Sequence, residues 1–200
     1  MATSDFQTLQ SAVNRDATNV IAEDVLQALI SNHPAVTAFR KRPSCTESRH
    51  VLQINEDDKP YSLTHTTITG PDMISEEPYV FTDDETGSII AIFKLGSKLA
   101  GHTKIVHGGL PAVLLDECMG RACFPRLAGK IAVTAKLDLE YKSPIPVNSF
   151  IVIRADTTEV QGRKAWVTAS VEDAQDGRLL VKAKALFIEP KWAGEMSQVV

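Results

Sequence analysis

Cysteine is scarce in this chain: three in 200 residues, an odd number that does not suggest a disulfide framework. Cys45, Cys118 and Cys123 read as reduced core thiols of an intracellular protein. No Cys/His spacing suits a metal, so no metal site is expected. Cationic charge is also limited. Twenty-one Lys and Arg stand against 25 Asp and Glu, for a net charge of -4. With no dominant basic stripe, a nucleic-acid partner is not expected. No apolar run approaches the ~20 residues of a membrane span. The first residues lack a basic-then-apolar signal pattern, and Asp5 and Asp16 are unlike an acid-poor transit peptide. Internal repeats and low-complexity segments are missing too.

What is present is apolar bulk: 44% of residues are hydrophobic, enough for one domain with a short extension. Residues 6–42 have helical spacing, with Phe6, Leu9 and Val13, then Val25, Leu26, Leu29 and Ile30. Pro34 and Pro43 are expected to end that region. Residues 44–60 are polar. The β-branched stretch 61–69 predicts a strand, and 72–87 an acidic connection whose 76–85 portion reads as a solvated face. The division expected is an N-terminal helical extension and polar loop over 1–60, a domain over 61–190 and a tail over 191–200.

From Ser88 the pattern becomes β-α-β-β-β-β. Ser88 to Leu95 is an apolar strand. Residues 107–124 form a helix stopped by Pro125. In 131–142, Val133, Ala135, Leu137, Leu139 and Tyr141 alternate with polar residues at period two. Two further strands meet at Gln161-Gly162, and Asp176-Gly177 turns into a last one. The helix opens on His107-Gly108-Gly109, is apolar on nearly every side, and carries one acid pair, Asp116-Glu117. A buried carboxylate is costly unless it is partnered or used. Glycines at a helix start leave backbone N–H groups open to a ligand. Together they suggest acyl-transfer chemistry.

His107-Gly108-Gly109, Asp116 nine positions on, Gly120, and the strand Val133-Thr134 through Tyr141-Lys142-Ser143-Pro144 resemble the hotdog-fold acyl-CoA thioesterases, the thioesterase superfamily or PaaI-like branch. Residues 64–74 look like fungal members. The motifs cover about 88–190. The resemblance implies an α+β hotdog fold, an antiparallel sheet of five to six strands wrapped around the central helix. It also implies a homodimer or dimer of dimers with shared active sites, and an acyl thioester substrate that brings its own coenzyme A, with no other cofactor. Some fungal relatives are mitochondrial, so a mitochondrial location stands beside the cytoplasmic one.

By the same resemblance, Gly108 donates its N–H to the thioester carbonyl with Gly109 beside it. Asp116 is the base or the nucleophile. Thr134, from the opposite subunit, holds the attacking water. His107 contacts substrate or holds the loop. Lys142, Arg163 and Lys164 fall where carrier phosphates are met. Glu117, one helical step round, faces elsewhere. Two departures stand out: Gly101-His102-Thr103-Lys104 lacks the Asn or Gln that helps some relatives hold the carbonyl, and Glu140 stands where some carry Asn. They leave two alternatives open. One is a hotdog enzyme recruited to biosynthesis, for product release from a carrier protein or for hydration or dehydration. The other is a non-catalytic acyl-binding homo-oligomer.

Overall fold

The computed structural model describes residues 26–28, 30–197, 199 and 200, in two compact units that part between Phe39 and Arg40. In the first, residues 26–28 and 30–32 are helical, and a helix α1 spans Pro34–Arg40. The helical spacing noted over residues 6–25 lies outside the described residues. The helical stretch before it ends at Asn32, two residues ahead of Pro34, and Pro34 also opens the next helix. At a first helical position its missing N–H has no intrahelical partner to lose.

The second unit is a seven-stranded antiparallel sheet around one helix. Its strands are β1 (Cys45–Ser48), β2 (Tyr79–Asp83), β3 (Ser88–Leu95), β6 (Val133–Tyr141), β7 (Ser149–Gln161), β8 (Lys164–Asp173) and β9 (Leu179–Ile188), in the order β1-β2-β3-β7-β8-β9-β6. A separate short hairpin pairs β4 (Ala100–His102) with β5 (Ile105–Val106). Gly162 and Gly177, at φ +57 and +72, make the turns into β8 and toward β9. Helix α2, Gly109–Cys123, lies along the sheet's inner side with Leu114, Leu115, Cys118 and Met119 almost wholly buried. This is the hotdog arrangement: a curved antiparallel sheet wrapped around a central helix.

Two of the seven strands were not foreseen. β1 rises from the polar stretch and β2 from the acidic connection. β2 is internal to the sheet, and Val80 and Phe81 are each only 1% exposed. The expected strand over 61–69 is instead a short 3-10 turn, Lys59–Tyr61, and a π-turn, Leu63–Thr67. Local hydroxyls explain the difference. The Ser62 Oγ accepts the His65 N–H at 3.3 Å, Thr66 Oγ1 donates to the Ser62 carbonyl at 2.6 Å, and Thr69 Oγ1 donates to the Thr64 carbonyl at 2.6 Å. Ser and Thr side chains that bond nearby backbone compete with a strand ladder.

Asp83 closes β2 and is 1% exposed. Burial raises its carboxyl, but Ser44, Thr86 and Arg42 donate to it and more than offset that, leaving it at about 2. The folded value lies below the unfolded one, so this stabilisation is present above pH ~4 and is lost as pH falls toward 2. The shift corresponds to about 2 kcal/mol. Urea melts of Asp83→Asn should show a loss of that order at pH 7, and a gap from the native chain that closes near pH 2.

Candidate functional site

Helix α2 begins where the β4–β5 hairpin presses on His107. A Cβ at Gly101 would sit 2.8 Å from the His107 Cα, so only glycine fits there. That close approach explains why residue 101 carries no amide side chain. His107 is then held on three sides. Its N–H donates to the Leu99 carbonyl at 2.8 Å, its carbonyl accepts the Leu110 N–H at 2.9 Å, and its Nδ1 accepts the Gly109 N–H at 2.9 Å. The imidazole therefore caps the helix as an Asn side chain would, and its acceptor role requires a neutral ring with the proton on Nε2. Two expectations are refined. The Gly109 N–H is occupied, and the Nδ1 of His107 faces Gly109.

Gly108, immediately before α2, has φ -59, ordinary for any residue. Among the described residues nothing accepts its N–H. A Cβ there would meet only Tyr141, at 3.9 Å. So neither strain nor crowding within the chain demands glycine at 108. The Tyr141 hydroxyl donates to the Gly108 carbonyl at 2.5 Å, a contact not foreseen from the sequence. Its signal was the period-two pattern of β6, which puts Tyr141 on the same side as Leu137 and Leu139.

At the other end of β6 the Thr134 hydroxyl donates to Asp116 Oδ1 at 2.6 Å. Thr134 was expected to serve the acid of a second subunit. Here it bonds the acid of its own chain, because β6 runs opposite to α2 and sets Tyr141 by Gly108 and Thr134 by Asp116. Asp116 is half-buried and Thr134 exposed. Glu117 turns the other way and accepts the Thr64 hydroxyl at 2.7 Å. Burial raises its carboxyl, partly countered by that hydrogen bond, and the Asp116 charge raises it further.

The three cations do not gather within one chain. Lys142 follows β6 at the Gly108 end and is ion-paired with Glu140. Lys164 opens β8 opposite Ile188, which in turn pairs with Val133, so Lys164 and its neighbour Arg163 lie at the Asp116 end. Arg163 Nη1 also donates to the Glu189 carbonyl at 2.9 Å. The two ends are about 24 Å apart along seven strand residues. Among the described residues there is no cluster of His, Cys, Asp or Glu fit for a metal, and no helix is long and apolar enough to cross a membrane.

Residues 103–180 match the thioesterase superfamily. A UPF0644 protein of Schizosaccharomyces pombe is 30% identical over 176 residues, covering 86% of this chain and 67% of that one. An uncharacterised protein of Candida albicans, named as mitochondrial, is 33% identical over 128 residues, 62% of this chain and 57% of that one. A rat protein named acyl-coenzyme A thioesterase THEM4 is 34% identical over 101 residues, 50% of this chain and 43% of that one. The chain thus spans between 43% and 67% of the length of these relatives. The solved structure of mouse thioesterase superfamily member 2 aligns with 52% of this chain and 75% of its own, at 20% identity and a TM-score of 0.48. By its sequence relatives and its own topology, the chain belongs to the thioesterase superfamily.

Proposed function

We propose that this chain hydrolyses acyl-CoA thioesters to a free acid and coenzyme A. The observation that carries the reading is the pairing of an unsatisfied Gly108 N–H at the start of α2 with a carboxylate, Asp116, already held by a hydroxyl. Hydrolysis needs a polarised carbonyl and an activated water. Gly108 would donate to the carbonyl oxygen at the positive end of the helix dipole. Asp116 would take a proton from water steadied by Thr134. That water adds to the carbonyl carbon, and the negative charge on the carbonyl oxygen rests against Gly108. The C–S bond then breaks, and the proton held by Asp116 leaves with the thiolate as the free thiol.

One chain cannot supply both groups to one thioester. Gly108 and Asp116 are eight residues apart, about 12 Å along the helix axis. Strand β6 bears on this. It is an edge of the sheet, and two of its large apolar residues, Val133 and Tyr141, are 39% and 54% exposed. Antiparallel pairing of β6 with the same strand of a second copy, about a two-fold axis, exchanges its ends. Gly108 and Lys142 of one copy would then meet Asp116, Thr134, Arg163 and Lys164 of the other. The reading is a homodimer with two composite sites, each with cations from both chains for the phosphates of the carrier. A mitochondrial setting for this activity takes support from the name of the Candida albicans relative.

Thiol release from acyl-CoAs of graded chain length tests the activity. Asp116→Asn should lower kcat by about a hundredfold or more, as for loss of a general base. Gly108→Pro, which removes the N–H at a φ that proline tolerates, should cost ~100- to 1,000-fold with the fold retained. No release from any acyl-CoA by the native chain would overturn the proposal.

The composite site has its own test. If Asp116→Asn and Gly108→Pro chains are unfolded, mixed and refolded together, half the dimers are hybrids with one intact site each, so about a quarter of native activity should return. Two inactive proteins that stay inactive when mixed would place each site within one chain. His107→Asn, which keeps an acceptor for Gly109, should melt like the native chain. His107→Ala should lose about 1 kcal/mol, as for loss of a helix cap.

A further inference from the structure

A cavity of about 140 Å³ lies beside Glu117 of α2, between the 62–69 turns and β3. Its floor is apolar: Val51, Ile74, Phe93 and Leu114 are all buried. Its polar wall is Glu117, and most of the other polar groups around it are already engaged. Arg49 donates to the Glu77 and Pro78 carbonyls and lies over the Tyr79 ring. Glu76 is ion-paired with Lys94, Thr69 bonds the Thr64 carbonyl, and His65 Nδ1 bonds Ser62. Glu117 itself spends one oxygen, Oε1, on the Thr64 hydroxyl. Among the described residues no donor reaches its Oε2.

We propose that this cavity receives the far end of the acyl chain, and that Glu117 selects chains ending in a hydroxyl. This rests on the thioesterase reading, with the scissile carbonyl at Asp116. With Oε1 taken by the Thr64 hydroxyl, Oε2 is left as an open acceptor, so a complementary ligand brings a donor. A plain methyl end would cover Oε2 and leave it unpaired, which costs enough to separate two ligands by tenfold or more. Size fits a chain terminus: at about 30 Å³ per water-sized group, the space takes four or five heavy atoms. Reach fits as well. Adjacent helix residues diverge by 100°, an arc of about 9 Å at the helix surface, and a chain of about eight carbons spans it past half-buried Val113. The turns that shape this cavity and hold Thr64 lie before residue 103, outside the part that matches the family. The selectivity is therefore set by a segment upstream of the family match.

Two non-cleavable probes read the cavity without any turnover: S-octyl-CoA and S-(ω-hydroxyoctyl)-CoA, both thioethers. Calorimetric titration should give about tenfold tighter binding of the hydroxylated probe by the native chain. The preference should fall below about twofold in Glu117→Leu and persist in Glu117→Gln, whose amide still offers a ligand hydroxyl a polar partner. In turnover, ω-hydroxyoctanoyl-CoA should beat octanoyl-CoA in kcat/KM by a similar factor. Equal binding of the two probes by the native chain, or no binding of either, overturns the proposal. So does a preference that survives Glu117→Leu. A preference for the hydroxylated probe without turnover of either thioester would uphold the cavity's selectivity and remove the thioesterase reading alone.

Discussion

Helix α2 has nine of its fifteen residues buried, and a helix so apolar needs a surface that curves around it. The sheet supplies that surface, and the closeness of the fit sets much else. At Gly120 a Cβ would come within 3.0 Å of Phe124 and 3.5 Å of Phe187. Those two rings stand edge to face with centroids 6.3 Å apart, joining the end of the helix to β9. A side chain at 120 would push helix and sheet apart and open gaps among side chains that now pack at crystal-like density. The same fit fixes how far along β6 each helix residue lies. The contacts of Thr134 with Asp116 and of Tyr141 with Gly108 are consequences of it.

The strip of α2 that the sheet leaves half-covered carries all of its charge. Asp116, Glu117 and Arg121 lie there, each with its own partner. Thr134 serves Asp116, Thr64 serves Glu117, and Asp84 pairs with Arg121 at 2.8 Å. A half-buried charge is tolerated when hydrogen bonds replace the water it has lost. Each partner comes from a different part of the chain: β6, the upstream turns, and the connection after β2. Polar chemistry is thereby confined to one side of an otherwise apolar element, which is where a substrate could meet it.

Much of this was legible in the sequence, and the rest was hidden for identifiable reasons. Period two in 131–142 and the glycine turns at 162 and 177 marked β6 to β9, since those signals are local. β2 was masked because Tyr79-Val80-Phe81 is short and sits among acids, with Glu76 and Glu77 before it, Asp83 at its last position and Asp84 and Glu85 just after it. The 61–69 stretch misled through composition: β-branched threonines favour strands, yet here their hydroxyls bond neighbouring carbonyls. In the site, the His-Gly-Gly and Asp spacing was plain. What spacing could not reveal was which N–H stays open. That depends on the His107 ring turning back on Gly109, and the ring is held by a hairpin pressed against it at Gly101. Nor could it reveal that Thr134 serves its own chain's acid, which depends on the direction of β6 along α2.

The separation of donor from base ties the proposed chemistry to assembly. Burial runs along the whole of α2, so the helix cannot be shortened to bring Gly108 and Asp116 together without losing core. A two-fold axis through β6 would remove the problem without altering either residue. The same axis would give partners to an edge strand whose N–H and C=O groups otherwise face solvent, and would cover Val133 and Tyr141. It would also bring Lys142 toward Arg163 and Lys164, which one chain holds about 24 Å apart. Three features of the single chain that have no use alone are thus met by one operation. Asp116 would then face a composite site while Glu117, the next residue, still faces a cavity walled by its own chain. In this reading the reaction needs two copies, and the choice of acyl chain is made within one.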